Sequence, residues 1–180
     1  VSRNGCGVGL SRTQDFQTFE PLGLALPPDN KDCALFEETI GGRYWCLHRP
    51  MSKWGLRIWT ATSPDLRHWG DYVCIAAPRP GMWDEERVGG GAAPIKTEAG
   101  WLEIYHGADR KGRYCLGALL LALDDPNRVL ARSHDPIMEP TQPYEQEGFY
   151  GNCVFTNGHV VDGDTLTLYY GASDSVICGA

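Results

Sequence analysis

The stretch Gly89-Gly90-Gly91-Ala92-Ala93-Pro94-Ile95-Lys96-Thr97-Glu98-Ala99-Gly100-Trp101-Leu102-Glu103-Ile104-Tyr105-His106-Gly107-Ala108-Asp109 decides how the rest of the chain is read. Its three leading glycines let backbone approach another group closely. Trp101 to His106 is rich in aromatic and β-branched residues and stops at Gly107, which is the composition of a strand. A turn at Glu98-Ala99-Gly100 joins it to the short apolar run holding Pro94 and Lys96. A cation, a histidine and bare backbone therefore lie within one hairpin of each other. Such a group holds an anion or a sugar, or it simply builds a turn.

Working outward, the same pattern recurs on both sides. Ala34-Leu35-Phe36 leads through Gly41-Gly42 to Tyr44-Trp45-Cys46-Leu47-His48, and Cys153-Val154-Phe155 leads through Gly163 to Thr165 through Tyr170. His106 follows His48 by 58 residues and Tyr170 follows His106 by 64. Each unit has a short apolar strand, a glycine turn, a second strand ending in His or Tyr, and room for two more strands. Four strands per unit at this period is the signature of a β-propeller blade, and 1–180 holds about three such units. No run has a helical period long enough to compete, and Leu116 to Leu123 fits a third strand of its unit better than a helix. Residues 1–31 read as a short strand to Ser11, a turn, and a Pro-rich link to Lys31. Two turns match: Ser11 with Asp15 and Phe19, and Ser63 with Asp65 and Trp69, where the aromatic can fold back over the hairpin.

Composition agrees with an all-β class. The 180 residues include 22 Gly, 12 Pro, six Trp and eight Tyr, with 42% hydrophobic and 22% charged residues, which describes a globular, turn-rich protein. The net charge of −7 and the lack of a basic run argue against a nucleic-acid partner. No apolar stretch approaches the roughly 18 residues of a membrane-spanning helix. Seven cysteines with no C-x-x-C spacing signal neither zinc nor a disulfide framework, and they read as small core residues in a reducing, cytoplasmic setting. No cofactor is signalled. The chain opens in a strand-like run at Val1 and closes in another, Val176 to Ala180, without capping signals. It therefore reads as part of a longer protein, a partial propeller with blades missing at the N-terminal side and the end missing at the C-terminal side.

In a propeller, sites form where the inner strands and their loops converge. Corresponding positions give Asp32 and Arg49 from one unit, Lys96, His106 and Asp109 from the next, and Asn152 and Asp174 from the third. A lysine amid apolar neighbours is costly to bury unless paired. Arg49 before Pro50 suits an anion or a solvated corner. His106 reads equally as a satisfied structural residue. Glu85-Glu86 beside Trp83 reads as a solvated loop, and Asp65, Asp124 and Asp125 as turn residues. No pair of carboxylates stands out for ordinary two-carboxylate glycoside hydrolysis. Cations beside candidate sugar ligands point instead to an anionic second substrate. Inorganic phosphate fits, with Arg offering bidentate geometry and Lys a point charge.

Together, Asp32 through Phe36, His48-Arg49-Pro50, Ile58-Trp59, Ser63 through Trp69, Gly91 through Thr97, Gly100 through Gly107 and Tyr169 through Asp174 resemble glycoside hydrolase family 130. That family includes the β-mannoside phosphorylases acting on mannosylglucose and on β-1,4-mannooligosaccharides. The resemblance implies a five-bladed propeller and inverting phosphorolysis of a β-mannoside to α-mannose 1-phosphate. A hydrolase of the same family and a non-catalytic sugar-binding propeller are the alternatives. It further implies Arg49, Lys96 and His106 as phosphate ligands, and Asp174, with Tyr105 and Asp32, as substrate ligands. The partners would be a β-mannoside and phosphate, and a homo-oligomer is left open. The family's general acid lies in an Asp-Pro-Arg motif that this sequence lacks. Asp135-Pro136-Ile137 has no Arg and does not inherit that role.

Overall fold

A computed structural model describes residue 3, residues 5–53 and residues 55–180. The strand-like opening at Val1 lies outside the described residues. The regular structure is almost entirely β-strand: β1 (Val8–Arg12), β2 (Glu20–Leu26), β3 (Asn30–Leu35), β4 (Tyr44–Pro50), β5 (Ile58–Ser63), β6 (Gly70–Ala76), β7 (Arg87–Gly89), β8 (Ile95–Lys96), β9 (Trp101–Ala108), β10 (Tyr114–Leu121), β11 (Val129–Arg132), β12 (Val154–Asp162), β13 (Thr165–Ala172) and β14 (Val176–Gly179). The one helix among the described residues, α1 (Pro143–Gln146), is a single turn.

The strands form four consecutive antiparallel sheets. β1 pairs with β2, β3 to β6 make a four-stranded meander, and β12 to β14 make a three-stranded one. In the remaining sheet, β11, β10 and β9 follow in order, and the fourth place is shared by two short strands. β7 pairs with the end of β9 and β8 with its beginning. Leu116 to Leu121 lies in β10, the strand beside β9, as its composition indicates. The Pro-rich link expected before Lys31 is instead strand β2. Proline is tolerated there because Pro21 sits near the start of a strand that pairs on one side only.

Each sheet packs on the next through its own apolar cluster. Ala25 and Leu26 meet Cys46 and Ala61, joining β2 to the β3–β6 sheet. Phe36, Trp45, Leu47 and Ile58 meet Trp101, Tyr105, Leu119 and Leu121, joining that sheet to β9 and β10. Phe36 stands edge-on to Trp101 with ring centroids 5.1 Å apart. Ile104 and Leu116 then meet Val154, Tyr170 and Ala172 of the last sheet. Each fully buried aliphatic side chain here contributes roughly 2 kcal/mol.

Turn chemistry is local and legible. Asp15 Oδ1 accepts the Gln17 and Thr18 amides, and Asp65 Oδ1 accepts those of Arg67 and His68. Trp69 does fold back, donating Nε1–H to the Leu66 carbonyl, whereas Phe19 stays exposed. The seven cysteines are all free: three are buried, three half-buried, and Cys74 is exposed.

Candidate functional site

The site is built where the second and third sheets meet. A bulge in β3 between Lys31 and Ala34 lifts Asp32 out of the ladder with φ of 50°, in the left-handed region. Bulges re-aim side chains. Here the Asp32 carboxylate turns toward Arg49, which lies in β4 opposite Lys31. Asp32 Oδ2 sits 2.9 Å from Arg49 Nη1 and 3.3 Å from His106 Nε2. Arg49 Nη1 also lies 3.1 Å from His106 Nε2. The same Nε2 therefore faces a guanidinium donor and a carboxylate acceptor, and His106 bridges the two. Burial pushes the His106 pKa down, with Asp32 pulling the other way. The ring is therefore neutral near pH 7.

Gly89 lets this cluster form. It pairs with His106 across the β7–β9 ladder, and a Cβ there would overlap Asp32 Oδ2 and lie 2.6 Å from the His106 ring. A Cβ on Gly91 would meet the Ile104 carbonyl oxygen at 2.5 Å and Thr156 Cγ2 at 2.9 Å. The glycine run is thus the point where three sheets touch.

Arg87, two residues before Gly89, completes the positive side. Its Nη1 donates to the Tyr114 hydroxyl at 3.1 Å. Both Arg49 and Arg87 bias the titration of His106 and Tyr114. Several buried polar atoms find no protein partner among the described residues: Arg49 Nε, Arg87 Nε and His106 Nδ1. Buried polar atoms are normally satisfied, which makes this cluster the candidate position for an anionic ligand.

Next to this cluster lies a cleft of about 310 Å³ lined by Tyr114, Tyr150, Cys153, Phe155, Asn157 and Asp174. The His106 ring packs on Phe155 with centroids 4.1 Å apart, so cluster and cleft share a wall. Tyr114 meets Tyr150 edge-on at 5.6 Å. Asn157 sits at a bulge of β12 between Thr156 and Gly158. Asp174 is exposed on a turn where it and Ser173 are both left-handed, with φ of 51° and 49°. Aromatic faces with a few polar groups on their rim are what a sugar ring requires.

Asp32, Arg49, His106 and Asp174 are therefore brought to one region. Four other expected residues are not. Lys96 pairs across the sheet with Trp101, five residues along β9 from His106, which puts it about 17 Å down the strand. There it forms an ion pair with Glu38 at 2.5 Å on a half-exposed surface. Tyr105 neighbours His106 in sequence, but alternation turns it to the other face. It is fully buried, stacks on Trp83, and donates its hydroxyl to Asp84 at 2.8 Å within a network with Arg79 and Arg132. Asp109 is spent on its turn, accepting the Lys111 and Arg113 amides. Asn152 is engaged through its backbone with Tyr114 and Gln146.

Arg87 and Tyr114 were not among the expected ligands. Arg87 follows Glu85-Glu86 and reads as part of a charged loop. The signal that could have found it is the glycine run that begins two residues later, which demands a dense neighbour.

With this geometry in place, comparison with known proteins is informative. Residues 3–180 match the family model described as β-1,4-mannooligosaccharide phosphorylase, and the chain belongs to glycoside hydrolase family 130. It is 49% identical over 99% of its length to a protein named β-1,2-mannobiose phosphorylase from Listeria innocua. It is 45% identical over 94% of its length to a 1,2-β-oligomannan phosphorylase from a Thermoanaerobacter species, and 31% identical over 94% to a β-1,4-mannooligosaccharide phosphorylase from Ruminococcus albus. The solved structure of the Listeria enzyme with β-1,2-mannobiose superimposes with a TM-score of 0.97, over 99% of this chain and 51% of that one. The chain spans about half the length of these relatives: 51%, 56% and 53%.

Proposed function

We propose that the protein containing this chain is an inverting β-mannoside phosphorylase. The observation that carries this is the pair of arginines, buried Arg49 and half-buried Arg87, whose buried Nε atoms lack protein partners among the described residues beside a sugar-sized aromatic cleft. Phosphate is a dianion with several acceptor oxygens, and guanidinium donors match it bidentately. A hydrolase or a non-catalytic sugar-binding propeller has no use for such cations.

In this reading the Arg49 and Arg87 guanidiniums and the Tyr114 hydroxyl hold phosphate against the anomeric carbon of a mannose lying in the cleft. Asp174 and Asn157 hold sugar hydroxyls. A phosphate oxygen attacks C1 as the C1–O bond to the leaving sugar breaks, giving α-mannose 1-phosphate. The leaving oxygen takes a proton from an acid in the Asp-Pro-Arg motif, outside this chain. Asp135 is not that acid, since it is 86% exposed beside His134.

The substrate we favour is a β-1,2-linked mannoside rather than mannosylglucose or a β-1,4-mannooligosaccharide. The relatives named for 1,2-linkages are 49% and 45% identical, against 31% for the one named for 1,4-linkages. The whole protein is proposed to be a five-bladed propeller, of which these stacked meanders are part. The free cysteines favour a cytoplasmic setting. The test is product analysis: full-length protein, β-1,2-mannobiose and phosphate should yield α-mannose 1-phosphate and mannose, identified by phosphorus and proton NMR. Two equivalents of free mannose with no phosphate ester would refute it.

A further inference from the structure

One buried carboxyl lies beneath the site without taking part in it. Glu103 is fully buried in β9. The two short strands opposite β9 leave a gap there: Gly89 pairs with His106 and Ile95 with Leu102, while residues 90–94 loop out between them. Glu103 fills the gap. Its Oε1 accepts the Gly91 amide at 2.8 Å, in place of a missing backbone partner, and its Oε2 has no protein partner among the described residues. Gly90 rests on it as well. A Cβ there would stand 3.2 Å from Glu103 Oε1 and 3.6 Å from both the Asp32 carbonyl oxygen and Leu47 Cβ. One residue earlier, Gly89 touches the Asp32 carboxylate and the His106 ring.

Resting on the phosphorylase reading above, we propose that Glu103 is the positioning residue of the phosphate cluster, acting through the Gly89–Gly91 backbone on Asp32 and His106. Asp32 in turn sets the Arg49 guanidinium. The requirement is an uncharged oxygen acceptor in a sealed space, because a buried amide left unpaired shifts to find water. Glutamine supplies the same acceptor and leucine does not. The cleft residues Tyr150 and Asp174 sit on loops of the last sheet, whose contact with Gly91 is at Thr156 in β12.

The test uses full-length protein and separates the Michaelis constants of the two substrates. Glu103→Leu should raise KM for phosphate about tenfold or more, the worth of one buried hydrogen bond. KM for the mannoside should stay within about twofold, and Glu103→Gln should restore phosphate KM to within about threefold of wild type. If Glu103→Leu does not fold, Gly90→Ala presses on the same oxygen and should show the same split. A phosphate-dependent wild type whose Glu103→Leu or Gly90→Ala variant keeps its phosphate KM overturns the assignment alone. Glu103→Gln as impaired as Glu103→Leu overturns it too. A wild type indifferent to phosphate overturns the phosphorylase reading and this assignment with it.

Discussion

Arg49 and Asp32 stand 2.9 Å apart with only 8% and 10% of their side chains exposed, and the contact is made by a residue that leaves its own ladder. Asp32 holds the guanidinium from one side while Gly89 backs the carboxylate from the other. A buried ion pair of this kind is weak support for stability. It makes sense as a device that fixes the orientation of the remaining arginine donors.

Replacing Arg49 should therefore damage phosphate use selectively. Arg49→Ala is expected to raise phosphate KM by about 100-fold, the loss of charge-assisted hydrogen bonds to a buried anion. Arg49→Lys should recover less than half of that on a logarithmic scale, because an ammonium lacks the planar fork. Steady-state kinetics at fixed, saturating mannoside reads both values. Equal losses for phosphate and mannoside would contradict the assignment.

Lys96 should behave as a surface residue. Its ion pair with Glu38 is half-exposed, with 45% and 48% of the two side chains accessible. Such pairs contribute about 0–1 kcal/mol. Lys96→Ala should leave phosphate KM within about twofold and lower the melting temperature by only a few degrees. A tenfold rise in phosphate KM would return Lys96 to the site.

Asp174 should act on the other substrate. Asp174→Ala should raise mannoside KM about tenfold with phosphate KM little changed, since the residue lines the cleft and does not touch the arginines. The same kinetic matrix tests it, and an effect confined to phosphate would refute it.

Glu103 carries a pH signature in stability. Burial raises its pKa to about 8 from an ordinary 4.5. Between these values the folded state holds a proton that the unfolded state has released, so its contribution falls as pH rises. Below about pH 4.5 it is fully present, and beyond pH 8 it has been lost. Relative to wild type, Glu103→Gln should grow more stable from pH 5 to pH 8.5, read as a widening difference in melting temperature. A constant difference across that range would show that the carboxyl titrates normally.

Much of this was legible in the sequence, and the failures have physical reasons. The β-branched and aromatic run at Trp101 to His106 marked strand β9, and the aspartates at 15 and 65 marked their turns. Asp32, Arg49, His106 and Asp174 were legible because each departs from the apolar pattern of its unit. Lys96 is near His106 in sequence but not in space. β7 and β8 both run antiparallel to β9, so Lys96, seven residues past the Gly89 that pairs with His106, meets Trp101. Tyr105 follows the strand period of two, which turns it to the face opposite His106. Strand β2 was hidden by Pro21 and Gly23, which weaken the strand signal at an edge. Arg87 was hidden by the acidic pair before it, and Glu103 by its strand, where one acid among apolar residues reads as an outward-facing position.

The central claim is that the Arg49–Arg87 cluster binds the nucleophile of the reaction. The direct measurement is the rate of β-1,2-mannobiose consumption by full-length protein as phosphate is titrated from none to saturation. The account predicts a rate that is negligible without phosphate, rises hyperbolically with it, and yields one α-mannose 1-phosphate for each disaccharide consumed. A rate already maximal in phosphate-free buffer would contradict it.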